Sequence, residues 1–111
     1  MTKHSTLAIA ALAVASIFLT PVSAQSTRDI KHGEALVTRN CARCHATMRT
    51  GKSTHPEAPA FRTLGKRYPI ESLEEALGEG IISGHPDMPE FVFENSDVGA
   101  IIAYLKSIQE P

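Results

Sequence analysis

Three side chains in five residues could do chemistry together: the thiols of Cys41 and Cys44 and the imidazole of His45, in the run Cys41-Ala42-Arg43-Cys44-His45. Two residues between the thiols let one helical turn present both sulfurs to the same edge of a ligand. The imidazole follows at once, so its ring can swing beneath that ligand. This is the Cys-x-x-Cys-His spacing of covalent haem attachment. Each thiol adds to a vinyl group of the porphyrin to form a thioether, and His45 binds iron from below. The links keep the imidazole at a very high effective concentration, and haem is then not lost from a domain with little stability to spare. The expected cofactor is one covalent haem c.

Other uses of the same residues fit less well. A thioredoxin-like thiol pair wants a βαβ pattern, which the sequence lacks, and has no use for His45. A tetrahedral zinc site needs four ligands, and the chain holds only these two cysteines. A disulfide closing so short a loop would constrain little of the unfolded chain.

An electron-carrying iron wants a sixth protein ligand, because a filled coordination sphere limits geometric change between Fe(II) and Fe(III). Met48 lies three residues after His45, on the attachment side. Met88 lies in His85-Pro86-Asp87-Met88-Pro89, where two prolines stiffen the loop around a weak thioether ligand. Met88 is the leading axial ligand and His85 the runner-up; a Met/His pair raises the potential.

Several elements must position these groups. Lys3 and His4, the apolar run Leu7 to Leu19, and Val22-Ser23-Ala24 read as a signal peptide over residues 1–24, cleaved after Ala24. Thirteen residues, broken only by Ser16, are short of the roughly 20 that cross a bilayer, so no permanent span is expected after cleavage. Residues 25–111 then form one small domain of 87 residues without Trp, a thin supply of large core side chains. A macrocycle at its centre would mend that shortage.

The expected architecture is all-α, three or four short helices joined by long loops. The first helix runs from Thr27 to about Asn40, capped by Ser26 or Thr27, with Ile30, Gly33, Val37 and Cys41 on one face. Residues 46–60 read as loop. Pro69 can start a helix over Ile70 to about Glu79, weakened or ended by Gly78, Gly80 and Gly84. Ser96 and Asp97 open a last helix to about Ile108, with a clear apolar stripe through Val98, Ile101, Ile102, Leu105 and Ile108. Phe91-Val92-Phe93 is the nearest approach to a strand.

Charge is unevenly spread. From Gln25 to Tyr68 nine Lys/Arg face three acids, a net +6; from Pro69 to Pro111 one Lys faces nine acids, a net −8. Such a dipole can orient a protein as it meets a partner. No arginine-rich tract, aromatic stacking motif or Gly-rich phosphate loop points to nucleic acid or nucleotides.

Together these residues resemble the class I (monohaem, soluble) cytochrome c family over nearly all of residues 25–111. Gly33 stands eight residues before Cys41, where the family has a small residue in its N-terminal helix. Ile101-Ile102-Ala103-Tyr104-Leu105-Lys106 is similar to its C-terminal helix, whose aromatic crosses that glycine. The resemblance implies the cytochrome c fold with crossed terminal helices. It also implies that the Pro59 carbonyl accepts the His45 Nδ1–H, and that Phe61, Leu64 and Ile82 form haem wall. Arg62, Arg67 and Tyr68 are possible propionate donors. Val37 departs from the pattern, standing four before Cys41 where the family often has an aromatic, and that helix contact should be weaker.

The expected function is one-electron transfer by a periplasmic, monomeric carrier, not an enzyme, whose redox protein partners are met transiently. Alternatives are an electron-accepting subunit of a periplasmic dehydrogenase, a small haem peroxidase, or a Cys-x-x-Cys thiol oxidoreductase.

Overall fold

The computed structural model describes residues 22–80, 85 and 87–111. Most of the expected signal segment and the haem-wall residue Ile82 lie outside them. Among the described residues the chain is all-α, as expected, with helices α1 (Val22–Cys41), α2 (Leu73–Glu79) and α3 (Asn95–Ser107). Two 3₁₀ helices, Phe61–Lys66 and Ile70–Ser72, precede α2.

The crossing of α1 and α3 frames the molecule. A Cβ placed on Gly33 would stand 1.9 Å from the Ala100 carbonyl oxygen and 2.9 Å from Tyr104 Cβ. The backbones therefore touch at Gly33, and only a residue without a side chain fits. Leu36 and Val37 on α1 and Val98, Ile101, Ile102 and Leu105 on α3 are buried around this contact. Val37 is the most deeply buried side chain of the core, at 1 % exposure. A short β-branched side chain is thus buried at the position where the resemblance suggests an aromatic.

The helix boundaries differ from expectation in three places. First, α1 begins at Val22, so Ser26 and Thr27 lie inside it instead of capping it. Ala24 and Gln25 are good helix formers and nothing after Pro21 interrupts them. Second, the segment after Pro69 opens as a 3₁₀ turn and becomes α only at Leu73. Ser72 N–H bonds the Pro69 carbonyl at 3.0 Å, the tighter i→i+3 pattern. Third, α3 opens at Asn95, one residue before the expected Ser96, with Glu94 as an extended N-cap. Gly80 ends α2, as read: its φ of 79° is left-handed and its N–H bonds the Ala76 carbonyl.

The Phe61–Lys66 turn has no hydrophobic periodicity to announce it. Tertiary hydrogen bonds hold it against the end of α3. Gln109 Nε2 donates to the Phe61 carbonyl (2.9 Å), the Gly65 N–H donates to Gln109 Oε1 (2.7 Å), and the Glu110 N–H donates to the Arg62 carbonyl (2.9 Å). Glu110 also pairs with the Arg62 and Lys66 side chains. Phe91–Phe93 has no regular secondary structure, and is tied to α2 by Phe93 N–H donating to the Leu77 carbonyl at 2.9 Å.

Candidate functional site

The cysteine pair sits where α1 ends. Cys41 is its last residue, and the Cys41 carbonyl accepts from the N–H groups of both Cys44 (3.2 Å) and His45 (3.0 Å). One turn thus carries both thiols and the imidazole, as the spacing predicts. The following loop folds back to brace it. Thr54 Oγ1 donates to the Arg43 carbonyl (2.6 Å), His55 N–H to the Cys44 carbonyl (3.2 Å), and Ser53 Oγ accepts from Ala46 N–H (2.9 Å).

His45 is buried, at 8 % exposure. Its Nδ1 lies 2.8 Å from the Pro59 carbonyl oxygen. A carbonyl can only accept, so Nδ1 carries the proton and Nε2 keeps its lone pair. The Phe61 ring packs 4.5 Å from the imidazole, and Phe61 N–H donates to the Ala46 carbonyl at 2.9 Å. Burial holds the His45 imidazole below its ordinary value, against the opposing pull of the Pro59 carbonyl; His85 and His55 nearby push the same way as burial. The neutral ring is the form that ligates metals.

A cavity of about 360 Å³ opens beside this imidazole. Its walls include Cys41, His45, Pro59, Phe61, Leu64 and Met88, and it is continued by a smaller space of about 60 Å³ that reaches Cys44 and again touches Met88. The volume is that of a cofactor pocket. His85 borders both spaces, its ring 5.6 Å from that of His45. Of the three possible propionate donors, Arg67 and Tyr68 line the cavity. Arg62 is instead engaged with Glu110.

Sequence reasoning missed part of the wall. Val37, Leu73, Leu77, Ile101 and Leu105 face the cavity with one side of their helices, and Phe91 and Phe93 face it from the segment after Met88. The alternation of Phe91, exposed Val92 and Phe93 was the available signal, two rings on one side with centroids 5.8 Å apart. Met48, set aside as a ligand, is exposed on another face.

The donor set fits haem c: two thiols on one turn, a neutral imidazole with a free Nε2, a thioether on the same cavity wall, and apolar surroundings. It suits a thiol oxidoreductase less well. Burial pushes the Cys41 thiol up to about 11, away from a reactive thiolate. No group of three or more His, Cys, Asp or Glu among the described residues could hold a bare metal ion.

Residues 28–105 match the family described as cytochrome C oxidase, cbb3-type, subunit III. The chain is also 32 % identical, over 98 residues, to cytochrome c-552 of Bradyrhizobium diazoefficiens, a match covering 88 % of each chain. No solved structure matches it. The chain belongs to the monohaem c-type cytochromes, with haem c as its covalent cofactor. It is an electron-transfer protein rather than an enzyme, and its partners are redox partners. No helix among the described residues is long and apolar enough to cross a membrane.

Proposed function

We propose that the protein is a periplasmic one-electron carrier whose haem iron is bound by His45 and Met88. Residues 1–24 act as a cleaved signal, and residues 25–111 are the exported cytochrome domain. The observation that carries the ligand reading is the shared cavity: His45, held by the Pro59 carbonyl, and Met88 line it together with Cys41.

Each residue has a distinct task. Cys41 and Cys44 anchor the porphyrin by thioethers. The Pro59 carbonyl fixes the tautomer and rotation of His45, so Nε2 is presented without a reorganisation cost. Phe61 and Leu64 exclude water from the ring's side of the cavity, and a dry site with a thioether ligand favours the reduced state. Arg67 and Tyr68 are the wall residues with donors for haem carboxylates. When bound, the haem supplies the Fe(III)/Fe(II) couple; the chain keeps coordination and surroundings constant between the two states. Contacts with donor and acceptor are expected to be small and short-lived, as redox encounters are.

Met88→Ala tests the ligand. The expected outcome is a lower midpoint potential and a ferrous haem that binds carbon monoxide. An unchanged midpoint with no carbon monoxide binding removes Met88 from the coordination sphere.

A further inference from the structure

His55 and Asp87 join two loops that the electron-carrier reading treats separately. His55 belongs to the loop after the haem motif and is fixed there by its backbone: its N–H donates to the Cys44 carbonyl and its carbonyl accepts from Ala58 N–H, both at 3.2 Å. Its ring is oriented as well. Nδ1 accepts from the Glu57 N–H at 3.2 Å, which leaves the proton on Nε2. That Nε2–H faces Asp87 Oδ2 at 3.3 Å, across 32 residues of sequence.

Asp87 immediately precedes Met88, and its φ of 66° is left-handed. Asp tolerates that conformation better than most residues, because its short side chain can hydrogen-bond locally. Here the carboxylate reaches His55. Both residues border the 60 Å³ space that also touches Cys44 and Met88. A thioether binds iron weakly, so the freedom of the loop that carries it counts against ligation. A fixed point one residue away reduces that freedom.

We propose that His55 and Asp87 form a clasp that holds the Met88 loop against the Cys44 loop, which makes both of them positioning residues for the axial methionine. The clasp rests on the His45/Met88 ligation proposed above. It acts through Met88 and touches no reacting atom.

The test is a double-mutant cycle on the ferric holoprotein, with imidazole as the competing sixth ligand. Loss of the thioether-to-iron charge-transfer absorption is the spectroscopic readout. The variants are His55→Ala, Asp87→Gly and the pair. Glycine keeps the left-handed backbone, and its extra freedom enters equally in both His55 backgrounds, so the cycle isolates the contact. Asp87 is 77 % exposed, which keeps the effect modest. Each single variant is expected to bind imidazole more tightly, and the pair less tightly than the two effects multiplied, with a coupling of about threefold. Asp87→Asn, which retains an acceptor oxygen, should stay near wild type. Single variants that bind like wild type, or effects that simply multiply, overturn the clasp. Met88→Ala runs in parallel. If it binds imidazole tightly while the clasp variants do not, the clasp alone fails; if it binds no more tightly than wild type, the ligand reading fails and takes the clasp with it.

Discussion

Tyr104 shows how much one side chain can carry in so small a core. Its Cβ passes against Gly33, and its hydroxyl donates to the Thr47 carbonyl at 2.7 Å, two residues past His45. The same hydroxyl approaches Met48 Sδ at 3.4 Å. Tyr104 and Thr47 are 4 % and 5 % exposed, so the bond is largely shielded from water. Burial accordingly raises the Tyr104 phenol. Tyr104→Phe keeps the ring and strands the Thr47 carbonyl. The expected cost is about 1–2 kcal/mol, read as a lower urea midpoint with an unchanged slope. A midpoint equal to wild type would show that the hydroxyl contributes nothing. The sequence offers Tyr104 as a crossing aromatic, but nothing in it pairs the hydroxyl with a carbonyl 57 residues away.

At the scale of elements, two glycines in helices face opposite situations. Gly33 on α1 lies against the backbone of α3, whereas a Cβ on Gly99 would meet nothing within 4 Å among the described residues. Gly33→Ala must push two backbones apart, since a carbonyl oxygen cannot rotate aside as a side chain can. The expected destabilisation is about 3 kcal/mol, the upper end of overpacking costs. Gly99→Ala only limits the unfolded chain and favours the helix, so it should stabilise by about 0.5–1 kcal/mol. Chemical denaturation of the two holoproteins gives both signs. If Gly33→Ala melts like wild type, the helices are not in backbone contact. The role of Gly33 at the crossing is implied by the family resemblance, through its position eight residues before Cys41. The 3₁₀ turn at Phe61–Lys66 has no such signal, because Gln109 and Glu110 impose it from the far end of the chain.

For the whole molecule, the cavity is the centre of the core. Val37, Leu64, Leu73, Leu77, Ile101 and Leu105 reach it from both 3₁₀ and α segments. Without haem these apolar side chains would face about 360 Å³ of open space where a macrocycle would otherwise pack, in a domain whose whole stability is about 5–15 kcal/mol. The chain without haem should therefore lack a fixed tertiary structure. Cys41→Ser/Cys44→Ser, freed of haem, is expected to keep part of its far-ultraviolet helix signal, lose its near-ultraviolet signal and unfold without a sharp transition. A cooperative transition matching the holoprotein would show that the polypeptide core suffices alone.

The attachment chemistry is determined by the sequence itself. Cys41, Cys44 and His45 lie within one turn, and local geometry is enough to bring them together. Helical periodicity likewise places α3, and a proline followed by glycines brackets α2. What depended on tertiary structure is everything separated along the chain. The Pro59 carbonyl on His45, expected only from a family resemblance, becomes a 2.8 Å contact across fourteen positions of sequence. The cavity wall needs five segments to converge, and Arg67 and Tyr68 are set apart from Arg62 only by which side of a short turn each occupies. Spacing could point to the groups proposed to hold a porphyrin, because neighbours in sequence share a turn. It could not state what encloses the porphyrin, because burial depends on contacts whose partners lie tens of residues apart.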